Sequence, residues 1–158
     1  MIIGVISEKF IYKKYLKIKN LFFGVCQNQK KMSYVACIFK QKKTQAKIVS
    51  VVKGKILDVV IDCRKKSKTF GKYYKITLSD KNCKALMIPS GFAHGFLALG
   101  KENIIFYGCD NYRSSGSEVT IKWDDPNVNI KWPSNKKKIL SKKDNAGKSF
   151  SEFIKDIK

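Results

Sequence analysis

The sequence predicts an all-β sandwich or barrel, for three reasons. Short runs rich in β-branched residues fill the middle of the 158-residue chain, and turn residues separate these runs. No long helical pattern lies between them, which favours sheet packed on sheet. A hydrophobic content of 44% with 12% aromatic residues is sufficient for a packed core. A chain of this length is expected to form one domain.

The strands are predicted in the following order. The segment "KIVSVVKGKILDVVIDCR" contains two β-branched runs joined at Lys53-Gly54, which predicts a hairpin. The segment "KTFGKYYKITLSDKN" predicts one strand that ends in a polar turn. Residues 83–112 predict three more strands, with breaks at 89–91 and 100–103.

The end of the chain differs in composition from the middle. Residues 134–146, "SNKKKILSKKDNA", form a charged connector. In "KSFSEFIKDIK", residues Phe150, Phe153, Ile154 and Ile157 recur at helical spacing, which predicts a short C-terminal helix. We therefore expect a single domain over 1–158, with its β core at 45–133 and the connector and helix at 134–158.

The net charge of +21 raises the possibility of a nucleic-acid partner. Of 33 basic residues, however, only Arg64 and Arg113 are arginines. Nucleic-acid sites favour arginine for its bidentate geometry, so a solvated lysine surface is the preferred interpretation. A small acidic ligand such as a sugar nucleotide would also suit this charge, and a basic nucleic-acid-binding barrel stays open as an alternative.

The cysteines and the apolar runs predict a cytoplasmic protein. The apolar runs are far too short to span a membrane, and Glu8 and Lys9 interrupt the opening "MIIGVIS", so we expect no secretory signal. The cysteines form no CxxC pair, and their odd number and irregular spacing predict reduced thiols: Cys26, Cys37, Cys63, Cys83 and Cys109.

The only histidine, His94, lies within "MIPSGFAHGFLALG". Because alternate residues of a strand share a face, Phe92, His94, Phe96 and Ala98 are predicted to point the same way. His94 is then either a core histidine or a histidine of a ligand pocket, and its spacing leaves both interpretations open. A metal site is not expected, since the chain offers no second histidine and no suitable cysteine spacing.

Two further side chains are candidates for chemistry. Tyr107 lies in "NIIFYGCDNY", where a tyrosine is more often a packing residue with a bonded hydroxyl. Lys47 begins a strand, where most lysines are solvated. Composition and spacing alone name no reaction.

The order of the segments resembles a known family. The stretch "GKILDVVIDCRKKSKTFGKYYKITLSDKNCKALMIPSGFAHGFLALGKENIIFYGCDNY", followed by "IKWDDPNVNIKWP" and "ILSKKD", resembles the dTDP-4-dehydrorhamnose 3,5-epimerases. The resemblance covers roughly residues 45–146, and "TFGK" and "IPSGFAHGF" are its most specific elements. It implies a cupin-type jelly roll with a short C-terminal helix, a homodimer, and neither a metal nor another cofactor.

The chemistry that the resemblance implies is proton transfer. The substrate class is a 4-keto-6-deoxy sugar on dTDP, in which the protons on C3 and C5 lie next to the C4 ketone. A base removes a proton from one face, an acid returns it from the other, and a cation stabilises the enolate. The resemblance makes Tyr107 the acid and Lys47 the cation, and places His94 in the sugar pocket. It also places three residues near the ligand or behind the base: Glu118, Lys143 and Asp144.

The family's base is absent from its expected place. It is a histidine within Arg-Gly-Leu-His-Phe/Tyr-Gln, shortly before "QAK", where this chain has "SYVACIFKQKK". Cys37 falls nearest by simple counting. A thiol abstracts a proton only as thiolate, which requires neighbours that lower its pKa.

A shift of reading frame explains the missing histidine. When possible codons for residues 26–40 are translated in the frame that begins two bases later, they can encode Ser-Lys-Ser-Lys-Lys-Asn-Val-Leu-Arg-Gly-Leu-His-Phe-Gln. This peptide contains the family motif at its expected place. We interpret this N-terminal catalytic segment as out of frame, with the frame regained near residues 40–43, and we treat 1–44 as an aberrant region. The chain is then an epimerase by descent with impaired activity. The alternative is a catalytically inactive cupin that still binds a sugar nucleotide.

Overall fold

The structure is a computed structural model that describes residues 4–7, 22–26, 33–40, 44–112, 115–133 and 139–157. Arg113 and the first half of the charged connector, residues 134–138, lie outside this part of the chain. The described residues form strands β1 (Gly4–Ser7), β2 (Phe22–Cys26), β3 (Ser33–Lys40), β4 (Lys47–Lys53), β5 (Lys55–Asp62), β6 (Tyr73–Ser79), β7 (Lys84–Ile88), β8 (Phe92–Ala98), β9 (Ile104–Cys109), β10 (Glu118–Ile121) and β11 (Ile139–Leu140). A 3₁₀ turn spans Ser115–Ser117, and two helices follow, α1 (Lys142–Asn145) and α2 (Phe150–Asp156).

The strands form two sheets, which confirms the predicted all-β fold. The five-stranded sheet has the order β1-β7-β4-β9-β2. The six-stranded sheet has the order β10-β3-β8-β5-β6, with β11 paired to β3. β11 runs parallel to β3, and the other pairs of these sheets are antiparallel. Three strands from residues 1–44 pair into the sheets, so the described parts of that region are built into the fold.

The hairpin predicted at Lys53-Gly54 is wrong, because β4 and β5 belong to different sheets. Gly54 has φ of +88°, which favours glycine, and a Cβ there would lie 2.1 Å from the carbonyl oxygen of Glu102. The Gly54 amide donates to Asp80 Oδ2 at 2.8 Å. These contacts hold a corner at which the chain leaves one sheet for the other.

An interior cluster fills the space between the two sheets. It joins side chains of the five-stranded sheet, among them Val49 and Ile105, to side chains of the six-stranded sheet, among them Val60 and Phe96. Strand alternation then identifies the inward-facing positions along each strand. The prediction that Phe92 and Phe96 share a face is confirmed, since both pack on this cluster.

An outer cluster covers the opposite face of the six-stranded sheet. Here Phe153 of α2 is fully buried and meets Phe39 of β3 edge-on, with ring centroids 5.0 Å apart. The predicted C-terminal helix is confirmed, and it begins with a capping box between Ser149 and Glu152. Ile154, expected on its apolar face, instead remains 36% exposed.

The charged connector contains regular structure where it is described. β11 extends the six-stranded sheet, and α1 packs against β3. Ser141 caps α1 by accepting a hydrogen bond from the Asp144 amide at 3.1 Å. The connector therefore brings Asp144 against the strand that carries the aberrant segment.

Candidate active site

Polar side chains face the interior from both sheets. In β8, His94 lies between the inward-facing Phe92 and Phe96, and in β5, Asp58 lies between two interior residues, Ile56 and Val60. On the five-stranded sheet, alternation from Val49 and Ile105 places Lys47 and Tyr107 on the inner face. The sheets thus present an imidazole and a carboxylate on one wall, and an ammonium and a phenol on the other.

His94 is paired with a buried carboxylate. Its Nε2 lies 3.0 Å from Asp58 Oδ2, and the side chains of His94 and Asp58 are 12% and 0% exposed. Asp58 was not predicted from the sequence as a site residue. An acidic residue on the buried face of the run "ILDVVID" is the pattern that could have identified it.

Lys47 is a partly buried cation on the opposite wall. Burial lowers the pKa of Lys47 below its ordinary value, and the like charge of Lys40 lowers it further, while Cys109, Asp58 and Glu118 oppose the shift. Lys47 projects from the inner face of the five-stranded sheet toward the sheet that carries the His94–Asp58 pair. An ammonium so placed can stabilise an anion that develops between the sheets.

Tyr107 is the most exposed of the inward-facing candidates. It pairs in register with Val49 on one side and Gly24 on the other, and 37% of its surface is exposed. A side chain exposed to this extent is accessible to a ligand from solvent.

Glu118, Lys143 and Asp144 gather at the edge of the six-stranded sheet. Glu118 Oε2 accepts from Lys143 Nζ at 2.8 Å, and its Oε1 lies 3.9 Å from Lys40 Nζ. The Glu118 side chain is only 4% exposed, so this carboxylate is held by ion pairs. Asp144 is buried and accepts a hydrogen bond from the Ser141 hydroxyl at 2.6 Å. The structure thus joins Glu118 to Lys143, with Asp144 on the adjacent helix.

A small cleft opens beside these groups. Of the predicted site residues, only Lys47 contributes to its lining. His94 lies next to the cleft, because its cross-strand partner Ile38 and its same-face neighbour Phe92 both line it. Among the described residues, its lining is Ile38, Phe39, Lys40, Thr44, Gln45, Lys47, Gly91 and Phe92.

A buried ion pair supports one wall of the cleft. The Arg64 guanidinium lies 4.6 Å from the centre of the Phe92 ring and donates to Asp62 Oδ2 at 2.5 Å. Ser67 and Thr69 also donate to this carboxylate, each at 2.6 Å. Burial raises the pKa of Asp62, but these hydrogen bonds outweigh burial and hold it well below its usual range. Sequence reasoning missed this cluster, in which Thr69 is the first residue of "TFGK".

Cys37 faces away from the cleft. It is fully buried in the outer cluster, and burial raises the pKa of its thiol far above the ordinary value. Its neighbour Ile38 lines the cleft instead. Both the orientation and the electrostatics disfavour Cys37 as a base, because the thiolate is the reactive form. Within the described ranges, no cluster of three or more metal-ligating side chains occurs.

Comparison with known proteins identifies the family. Residues 4–152 match the family model described as dTDP-4-dehydrorhamnose 3,5-epimerase. The chain is 42% identical over 117 residues to dTDP-4-dehydrorhamnose 3,5-epimerase of Neisseria gonorrhoeae, covering 74% of this chain and 36% of that protein. It is 45% identical over 95 residues to the enzyme of the same name from Methanothermobacter thermautotrophicus, covering 60% of this chain and 51% of that protein.

Solved structures give the same result. The dTDP-6-deoxy-D-glucose-3,5-epimerase of Legionella pneumophila, in complex with dTDP-4-keto-L-rhamnose, superposes with a TM-score of 0.79 at 35% identity, covering 82% of this chain and 69% of that one. The dTDP-4-dehydrorhamnose 3,5-epimerase of Bacillus anthracis, with TDP and PPi bound, gives a TM-score of 0.77 at 32% identity and covers 81% and 73%. The chain spans between 36% and 63% of the length of the curated relatives compared. From its matching model, relatives and cupin jelly-roll fold, the chain belongs to the dTDP-4-dehydrorhamnose 3,5-epimerase family.

Proposed function

We propose that this chain binds a 4-keto-6-deoxy sugar on dTDP and epimerises it at C3 and C5, at a rate much reduced by the loss of the family's base. The single observation that carries the proposal is the placement of Lys47 and Tyr107 on one inner wall and His94 on the other. Stereochemical inversion at a carbon needs proton transfer on both faces of the sugar, and a ligand between two walls is accessible from both.

Each of the candidate residues has a separate role in the proposed reaction. Lys47, a partly buried cation, offsets negative charge on the C4 oxygen as a proton leaves the neighbouring carbon. The Tyr107 hydroxyl donates a proton to the carbon of the enolate from its own side of the sugar. Glu118 and Lys143, joined at 2.8 Å, lie at the edge of the six-stranded sheet, and Asp144 lies on α1, which packs against β3.

The orientation of β3 supports the frame-shift interpretation. Aligned by position, the shifted frame replaces Cys37, Ile38, Phe39 and Lys40 by Leu, His, Phe and Gln. Positions 37 and 39, which lie in the outer cluster, are apolar in the shifted frame. Positions 38 and 40, which line the cleft together with Phe39, are polar in the shifted frame, because Ile38 becomes histidine and Lys40 becomes glutamine. The shifted segment thus has the alternation of a strand between a core and a polar site, with its histidine on the cleft side.

An inactive binding protein is the second candidate. It is favoured by one observation: Cys37, the nearest substitute for the missing base, is buried in the outer cluster with a raised pKa. Solvent deuterium exchange at C3 and C5 distinguishes an impaired epimerase from a binding protein, since only the former labels the sugar.

Thermal unfolding tests the binding step. A ligand that binds only the folded chain stabilises it by about 2.7 kcal/mol at 100 times its Kd, so thymidine diphosphate should raise the Tm. Inorganic polyphosphate and a DNA duplex serve as charge controls. No shift with a millimolar concentration of thymidine diphosphate would refute sugar-nucleotide binding, and equal shifts with every polyanion would favour the basic nucleic-acid-binding alternative.

The proposal also includes a cytoplasmic location and a homodimeric assembly. Among the cysteines whose side chains the structure describes, Cys37, Cys63, Cys83 and Cys109 are free thiols, which supports a reducing compartment. Within the described part of the chain, no helix has the length and apolar character of a membrane span. Sedimentation of the purified chain tests the homodimer that the family resemblance implies.

A further inference from the structure

The Asp58–His94 pair has the geometry of a general base held by a carboxylate. Asp58 Oδ2 lies 3.0 Å from His94 Nε2, and Asp58 is completely buried. Its other oxygen, Oδ1, has no hydrogen-bond partner in the described structure. Because a buried carboxylate needs the few hydrogen bonds available to it, Asp58 holds the His94 ring in a fixed orientation.

The hydrogen bond to Asp58 also determines which ring nitrogen can act. With Nε2–H donated to the carboxylate, the lone pair of the neutral ring is on Nδ1. No described residue forms a hydrogen bond with Nδ1, and 12% of the side chain stays accessible. The proton-accepting nitrogen is thus unoccupied within the described residues.

The position of His94 suits a base that works opposite Tyr107. His94 points inward from the six-stranded sheet, next to the cleft residues Ile38 and Phe92, whereas Tyr107 points inward from the five-stranded sheet. A sugar held between the sheets has His94 on one face and Tyr107 on the other. Lys47 lies on the inner face of β4 and lines the cleft, so the cation faces the space in which the enolate forms.

We propose that His94, oriented by Asp58, is the base that remains in this chain and takes the proton next to the C4 ketone. This assignment rests on the proposed function. His94 Nδ1 accepts the proton, the C–H electron pair forms the enolate double bond, and the ketone electrons move to O4 beside Lys47. Tyr107 then gives its proton to the same carbon from the other face, and the ketone re-forms. Solvent returns a proton to Tyr107 and removes one from His94, so every atom is accounted for.

The test is deuterium incorporation from D₂O into dTDP-4-keto-6-deoxyglucose, followed by NMR with the complete chain. We expect slow exchange by the unaltered chain. His94→Gln keeps a donor toward Asp58 but cannot take a proton, so exchange should fall by roughly 100-fold or more. Asp58→Asn should lower the rate while leaving the thermal shift with thymidine diphosphate unchanged. That separation of rate from binding is not expected of a residue that only stabilises the fold.

Control variants distinguish a loss of the base from a loss of folding stability. Asp125→Asn removes another buried carboxylate, which accepts hydrogen bonds from the Val128 amide in its own turn and from the Phe150 amide at the start of α2. This change should cost stability without slowing exchange per folded molecule. His94→Gly should recover exchange when imidazole is added, which tests the base directly. Exchange that survives His94→Gln overturns the assignment, and exchange lost on Cys37→Ala instead transfers the role to Cys37.

Two further outcomes separate this inference from the proposed function. An unaltered chain that binds thymidine diphosphate but shows no exchange overturns the role of His94 and leaves binding intact. A chain that shows no thymidine diphosphate shift in any variant refutes the proposed function, and the inference fails with it.

Discussion

Restoring the shifted frame over residues 32–40 should restore fast proton exchange. The replacement is Asn-Val-Leu-Arg-Gly-Leu-His-Phe-Gln, which puts a histidine at position 38. Ile38 now holds that position, lines the cleft and pairs in register with His94. A general base there faces the site, and α1 with Asp144 packs behind the strand. We expect exchange to rise by roughly 100- to 10 000-fold, or about 2.7–5.5 kcal/mol of barrier.

The structure also sets the stability cost of this replacement. A leucine for Cys37 enlarges a fully buried position, and overpacking of that kind costs about 1–3 kcal/mol. Phe39, which contacts Phe153, is the same in both frames. Loss of Lys40 removes an ion pair of 3.9 Å, but Glu118 keeps its shorter pair with Lys143. The rates must therefore be expressed per folded molecule, from unfolding curves measured in parallel.

Deuterium incorporation at C3 and C5, followed by NMR, is the assay. The matched control is the same nine-residue replacement with glutamine in place of the histidine at position 38. It should bind thymidine diphosphate equally and exchange no faster than the unaltered chain. Equal exchange by the histidine and glutamine forms would refute the assignment of position 38 as the base, and so would a histidine form that binds the nucleotide without faster exchange.

Three further predictions follow from individual side chains. Tyr107→Phe should reduce epimerisation roughly 100- to 10 000-fold in coupled turnover, with the thymidine diphosphate shift retained, and undiminished turnover would exclude it as the acid. The pKa of Asp62 is depressed in the folded chain, so its contribution to folding stability is present above the unfolded pKa of about 3.9 and is lost as pH falls. Asp62→Asn should therefore make the free energy of unfolding depend less on pH below about pH 5. An unchanged pH profile of the unfolding free energy would contradict this. Phe153→Ala should lower the free energy of unfolding in denaturant by about 3–5 kcal/mol, because Phe153 is fully buried against Phe39 and Phe150. A loss of stability under about 1 kcal/mol would show that the outer cluster is not packed as described.

The sequence by itself determined the features that depend on neighbouring residues. Two-residue alternation placed His94 on the same face as Phe92 and Phe96, because side-chain direction in a strand is local geometry. The helical spacing of apolar residues located α2 for the same reason. The order of the segments also predicted the family, which the matching model over residues 4–152 confirms.

Only the tertiary structure decided which distant groups meet. Asp58 and His94 are 36 residues apart, and their pairing follows from β5 and β8 lying side by side. The sequence correctly placed a turn at Gly54, but this turn joins two different sheets and does not close a hairpin. A glycine with positive φ is compatible with either connection, so the turn residue alone does not distinguish them. Cys37 seemed the nearest substitute for a base by counting, but a register shift between Val35 and Ile38 precludes assigning faces in β3 by counting alone. The face of a strand on which a side chain lies depends on nearby residues and is readable from the sequence. Which sheet carries each polar group depends on pairing between strands far apart in sequence, so only the tertiary structure shows it.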